Sequence, residues 1–229
     1  MNLPNILSLI RICMIPFVVA AYMLSAFWGP IVAVVLFILA AFTDFLDGYI
    51  ARKYNMVTDL GKLLDPIADK ILITAALFCI CAFSPYAYKS NIVENWEKNM
   101  ALCQFATIFI TCGSIIVLAR ELLISAVRQI AASKGVVVQA NIFGKFKTVL
   151  QDITLPVIMI LRSFSWLIVY GKATPEIVKA ADIIGVVGLI LFALMVVATL
   201  LSGIIYLVQN SFVFADNKQQ QTAENTTNR

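Results

Sequence analysis

Between Arg11 and Asp44 not one residue is charged, yet the run is interrupted near its middle by Trp28-Gly29-Pro30. A helix needs about 20 mostly apolar residues to cross the hydrocarbon core of a bilayer, and Gly-Pro punctuates helices. The run therefore reads as two spans, over about 5–27 and 30–53. Pro66 to Phe83 gives a third. The segment from Ser84 to Asn99, carrying Lys89, Glu94, Glu97 and Lys98, is too polar to lie in lipid. Met100 to Ala119 is an uncharged fourth span, whose helix is expected to run on through Arg120-Glu121 to about Ala132. A fifth helix covers about 146–169, and Ile183 to Val208 forms a charge-free sixth.

Composition agrees with this reading and excludes the main alternatives. Hydrophobic residues make up 61% of the 229 and charged ones 13%, where an ordinary soluble domain carries about 45–50% and about 25%. Disorder of the whole chain fails on the same figures. Five cysteines, at 13, 79, 81, 103 and 112, are an odd number in apolar surroundings without a CxxC pair, which argues against a disulfide scaffold or a thiolate metal site. There is no histidine, so chemistry must run on carboxylates and other bases. The net charge of +4 includes no basic run of five, which suits anionic lipid or phosphate better than nucleic acid.

The expected fold is thus all-α, a polytopic membrane protein of six transmembrane helices. Residues 1–214 form the membrane domain, and the Gln-, Asn- and Thr-rich stretch 215–229 is expected to be a disordered tail. Lys and Arg gather between helices two and three (Arg52, Lys53, Lys62) and between four and five (Arg128, Lys134, Lys145, Lys147). By the positive-inside rule those loops, and with them both termini, face the cytoplasm of a cell membrane. The N-terminus lacks a basic opening and a small-residue cleavage pattern, so it is expected to be retained.

Against this apolar background the stretch Thr43-Asp44-Phe45-Leu46-Asp47-Gly48-Tyr49-Ile50-Ala51-Arg52, continued by Gly61, Asp65 and Asp69, stands out. At about 100° per residue, Asp44, Asp47, Gly48 and Ala51 share a stripe of helix two, and Asp65 and Asp69 share a stripe of helix three. A short loop folds the stripes together. Four carboxylates at helix ends in a membrane repel one another, and hard divalent cations with oxygen ligands relieve that repulsion. Two Mg²⁺ or Mn²⁺ ions would neutralise them. Gly48, Ala51 and Gly61 let a flat or phosphorylated ligand approach the backbone, and Arg52 offers a fork to phosphate. The bland reading, helix packing on small residues, explains Gly61 alone but not the four aspartates.

The pattern D-x2-D-G-x2-A-R-x8-G-x3-D-x3-D, complete here at Asp44, Asp47, Gly48, Ala51, Arg52, Gly61, Asp65 and Asp69, resembles the signature of the CDP-alcohol phosphotransferases. The resemblance implies a membrane transferase that moves a phosphatidyl or related group from a CDP-linked donor to an alcohol and releases CMP. It further implies that Asp44, Asp47, Asp65 and Asp69 hold the metals, that Asp69 is also the base for the acceptor hydroxyl, and that Gly48, Ala51, Arg52 and Gly61 form the CDP site. A homodimer is implied as well.

The opening Asn2-Leu3-Pro4-Asn5-Ile6-Leu7-Ser8-Leu9-Ile10-Arg11, the group Arg120-Glu121 with Ser125 and Arg128, and Gly144-Lys145-Phe146-Lys147-Thr148 with Gln151 resemble the phosphatidylglycerophosphate synthases. This implies CDP-diacylglycerol as donor and sn-glycerol 3-phosphate as acceptor. On the residues themselves, Arg120, Arg128, Lys145 and Lys147 offer several cations to one small phosphate, at a helix N-terminus that favours anions. Their bland reading is contact with lipid headgroups. Inositol phosphate, serine or phosphatidylglycerol stand as alternative acceptors, and an ion-coupled transporter as the reading from outside the family.

Overall fold

The computed structural model describes residues 3–53, 59–85, 96–133 and 142–209. Among them the chain is helical, without a strand: α1 (Leu3–Met23), α2 (Trp28–Lys53), α3 (Asp59–Ala82), α4 (Trp96–Ser133), α5 (Ile142–Val169) and α6 (Pro175–Gln209). Four stretches are long and apolar enough to cross a bilayer: Asn5–Met23, Cys103–Ala131, Phe146–Val169 and Pro175–Gln209. Trp28–Asp44 is a shorter apolar run. The tail expected to be disordered lies outside the described residues.

Boundaries differ from expectation where local chemistry acts. α1 stops at Met23, and α2 takes up Trp28, Gly29 and Pro30 as its first turn, where a proline's missing N–H costs nothing. α6 starts at Pro175, eight residues ahead of its charge-free stretch. Thr174 precedes it, with its Oγ1 accepting from the Ile177 N–H at 3.4 Å, and Glu176 in the first turn suits the positive end of the helix dipole. Inside α5, Pro156 removes the N–H that the Asp152 carbonyl would otherwise take, a gap tolerated where neighbouring helices surround it.

Polarity is inverted relative to a soluble bundle. Phe17, Phe78, Phe105, Ile115, Leu122 and Val208 are all more than 60% exposed, while Ser8, Arg11, Gln151, Thr154 and Thr199 are fully buried. Lipid accepts the first group, and the interior must satisfy the second. α1 packs on α2 and α3, α5 on α6 and α2, and α6 on α4. Close approach of α4 and α6 rests on Gly113, where a Cβ would stand 2.5 Å from the Phe192 ring. A second small position, Gly203, makes room for the Arg120 stem, 3.1 Å from where its Cβ would be. Gly203 therefore serves packing within the chain.

One end of the bundle is tied by aromatic and carbonyl contacts. The Arg162 guanidinium lies 4.9 Å from the Tyr22 ring and 4.5 Å from the Phe83 ring, and it donates to the Phe83 carbonyl at 3.5 Å. Ser165 donates to the Pro85 carbonyl, and the Ser84 and Thr107 hydroxyls meet at 3.0 Å. The ends of α1 and α3, the start of α4 and the far half of α5 are thus fixed together, so α5 runs antiparallel to α4.

Candidate functional site

At the other end of the bundle the buried groups are charged. Asn5, Ser8 and Arg11 are buried on α1, three residues apart in sequence. The fully buried Arg11 donates through Nη1 to Asp44 Oδ1 at 2.6 Å, across from the end of the apolar part of α2. The Asp44 side chain is 47% exposed, so the pair joins a buried cation to a carboxylate reachable from outside.

Asp69 on α3 lies within electrostatic reach of Asp44, Arg11, Lys147 and Glu121. Asp152 on α5 feels Asp69, Asp44 and Lys147 in turn. Lys147 is buried on α5, and its ammonium is bonded to Glu121 Oε1 on α4. The same oxygen accepts from Arg120 Nη1 at 3.0 Å, and Arg120 Nη2 reaches Ser202 Oγ on α6 at 2.8 Å. One carboxylate thus holds two cations, and that knot carries net positive charge beside the acidic group around Asp69. A cavity of about 150 Å³ opens between α3 and α4, with Lys70, Thr74, Leu118 and Glu121 in its wall.

The structure brings Asp44, Asp69, Arg120 and Lys147 into one neighbourhood and sets the Arg128 guanidinium 5.5 Å from the Tyr206 ring centre. Ser125 and Thr148 turn their hydroxyls onto their own helices, donating to the Glu121 and Gly144 carbonyls. Gly61 is buried near the start of α3. Asp47, Gly48, Ala51 and Arg52 lie on α2, Asp65 on α3 and Lys145 on α5, and their side chains fall outside the described residues.

Sequence reasoning did not single out Arg11 or Asp152 as site residues. The signal was present: an ionisable residue inside an otherwise apolar helix is by default a candidate for function. Ser202 carried no such signal, because a hydroxyl in a membrane helix is ordinary.

The donor chemistry suits a hard divalent cation: the carboxylates of Asp44, Asp69 and Asp152 interact with one another, and Arg11 is bonded to one Asp44 oxygen. Among the described side chains, which leave out Asp47 and Asp65, no group of three His, Cys, Asp or Glu is close enough to share one ion.

Comparison with known proteins adds a lineage. The sequence profile of the CDP-alcohol phosphatidyltransferase family matches residues 1–208. A CDP-diacylglycerol--glycerol-3-phosphate 3-phosphatidyltransferase of Rickettsia bellii is 37% identical over 177 residues, 77% of this chain and 84% of its own. A protein of the same name from Bacillus subtilis is 33% identical over 171 residues, 69% of this chain and 77% of its own. One from Arabidopsis thaliana, numbered 2 under that name, is 36% identical over 169 residues, covering 72% and 67% of the two chains.

Proposed function

This chain belongs to the CDP-alcohol phosphatidyltransferase family, and from that premise we propose that it transfers the phosphatidyl group of CDP-diacylglycerol to sn-glycerol 3-phosphate, giving phosphatidylglycerophosphate and CMP. The names of its relatives support both substrates. The observation that carries the reading is the position of Lys147, bonded to Glu121 on one side and within electrostatic reach of Asp69 on the other. A phosphate held by Lys147 and Arg120 would leave the far hydroxyl of a three-carbon acceptor close to an aspartate. The family match leaves the ion-transporter reading without support.

In this mechanism the acceptor's primary hydroxyl oxygen attacks the phosphorus that bears diacylglycerol. The bond from that phosphorus to the CMP oxygen breaks, and the hydroxyl proton passes to Asp69 as base. Mg²⁺ or Mn²⁺, two ions held by Asp44, Asp47, Asp65 and Asp69, would supply the positive charge that the diphosphate needs. Gly48, Ala51 and Gly61 admit the cytidine diphosphate to the backbone, and Arg52 meets its phosphate. Arg120, Arg128, Lys145 and Lys147 hold the acceptor phosphate, Arg128 from its place over the Tyr206 ring. Arg11 fixes Asp44 from α1 and offsets part of the acidic charge.

The wider assignment is six spans, with α2 and α3 completing the four long apolar helices, and both termini and the site on the cytoplasmic side of a cell membrane. Residues 1–214 form the catalytic membrane domain, 215–229 a polar tail, and the working unit is a homodimer in contact with membrane lipids. Lysines and arginines between helices two and three and between four and five support that orientation.

The test is CMP release by the purified chain in detergent with CDP-diacylglycerol and Mg²⁺. Acceptors to compare are sn-glycerol 3-phosphate, inositol phosphate, serine and phosphatidylglycerol, each with a chelator control. Metal-dependent release with glycerol 3-phosphate alone is expected. Release with one of the others instead would keep the aspartate chemistry and remove the acceptor assignment.

A further inference from the structure

One turn along α5 from Lys147, the side chain of Gln151 is fully buried, and neither its Nε2 nor its Oε1 meets a hydrogen-bond partner among the described residues. An amide offers two donors and a carbonyl acceptor, and leaving such groups unpaired in a dry interior costs about 1–3 kcal/mol. Two hydroxyls on other helices are in the same condition. Ser114 Oγ on α4 and Thr199 Oγ1 on α6, at 2% and 0% exposure, lack partners among the described residues. Hydroxyls in apolar helices ordinarily bond the carbonyl four residues back, as Thr107, Thr111, Thr148 and Thr154 do here. Ser114 and Thr199 do not.

Helix register places the three groups on the same side of the knot, at different depths. Arg120 meets Ser202, and Gly113 meets Phe192 and Val196, so α4 and α6 run parallel. Lys147 meets Glu121 with α5 antiparallel to α4. At 1.5 Å per residue, Gln151 lies about 6 Å below Lys147, Thr199 about 5 Å below Ser202, and Ser114 about 10 Å below Glu121. Gln151 and Thr199 thus lie about one turn below the Arg120–Glu121–Lys147 knot, and Ser114 about two turns below it.

We infer that the Gln151 amide reads the acceptor's second hydroxyl. With the phosphate on Lys147 and Arg120 and the reacting hydroxyl at Asp69, the Gln151 amide hydrogen-bonds the hydroxyl that is not transferred. Gln151 is then a specificity-determining residue that selects a phosphorylated vicinal diol over a phosphorylated simple alcohol. The inference rests on the proposed reaction and deepens it. A site built to hydrogen-bond a substrate hydroxyl rejects the analogue lacking it, because its own polar groups are left unpaired.

The experiment compares kcat/KM for sn-glycerol 3-phosphate and for 3-hydroxypropyl phosphate, which keeps the phosphate and the primary hydroxyl but lacks the hydroxyl between them. CDP-diacylglycerol is the donor and the full-length chain the enzyme. Wild type is expected to favour glycerol 3-phosphate by about 10- to 100-fold, the worth of one or two buried hydrogen bonds. In Gln151→Met the preference should shrink to about threefold or less, through loss on glycerol 3-phosphate, with KM for CDP-diacylglycerol unchanged. If both acceptors slow equally and the preference stays at its wild-type value, the amide only packs or holds water, and the inference is overturned. The wild-type comparison is decisive even if the variant does not fold, since equal use of the two acceptors overturns the inference without any mutation. CMP release with neither acceptor but with another alcohol would overturn the reaction itself, a failure distinct from that of Gln151.

Discussion

Arg11 and Arg162 stand at opposite ends of the bundle, and their partners differ in kind. Arg162 lies between the rings of Tyr22 and Phe83 and donates to a backbone carbonyl. Arg11 is bonded to the carboxylate of Asp44, which itself interacts with Asp69. Rings and a carbonyl satisfy the Arg162 guanidinium without adding net charge, although among the described residues the neighbouring buried Ser163 hydroxyl has no partner. The Arg11 end gathers the carboxylates of Asp44, Asp69, Glu121 and Asp152 among its cations, and among the described residues the buried Gln151 amide there has no partner. Neutral partners around a guanidinium hold helices together; an end where ionisable groups of both signs cluster is where ligands belong.

The sharpest way to break this contrast is Asp69→Asn. It removes the base while keeping shape, so kcat should fall by about 10²- to 10⁴-fold, the usual worth of general-base catalysis. Binding of CDP-diacylglycerol should persist; turnover near the wild-type rate would show that the proton goes elsewhere. Next in size is Lys147→Ala, which takes one cation from the Glu121 knot. The apparent KM for glycerol 3-phosphate should rise by about 10- to 100-fold, as expected for a charge-assisted hydrogen bond, while KM for CDP-diacylglycerol barely moves. An unchanged acceptor KM would make the knot purely structural.

The arginines then give a paired test. Arg11→Met should lower kcat/KM by about tenfold through a loosened Asp44, the scale of one lost hydrogen bond to a charged group. Arg162→Met should leave the kinetics of the folded enzyme intact and reduce stability by about 1–3 kcal/mol, the worth of two partly buried cation–π contacts, read as a lower melting midpoint in detergent. If Arg162→Met changed the acceptor KM, the two ends would be coupled, and the division drawn between them would fail.

Much of the fold was legible because charge-free runs long enough for a bilayer leave few alternatives, and the positions of α1, α4 and α6 follow from them. Helix ends were less legible. The start of α6 depends on a Thr-Pro pair whose capping geometry outweighs the charges of Glu176, Lys179 and Asp182. Asp44 and Asp69 were visible as candidates because carboxylates are conspicuous in an apolar chain. Their company was not: Arg11 reaches Asp44 across 33 positions of sequence and Lys147 reaches Glu121 across 26, pairings that arise only from how the helices pack. Gln151 is the extreme case. Its identity was plain in the sequence, but its lack of a partner among the described residues exists only in three dimensions.

The most direct measurement is incorporation of labelled sn-glycerol 3-phosphate into lipid by the purified chain, with CMP measured in the same reaction. The account predicts labelled lipid and CMP in equal amounts, both abolished by a chelator and restored by Mg²⁺. Folded protein that releases CMP with Mg²⁺ but leaves the label in water, or that makes neither product, would contradict it.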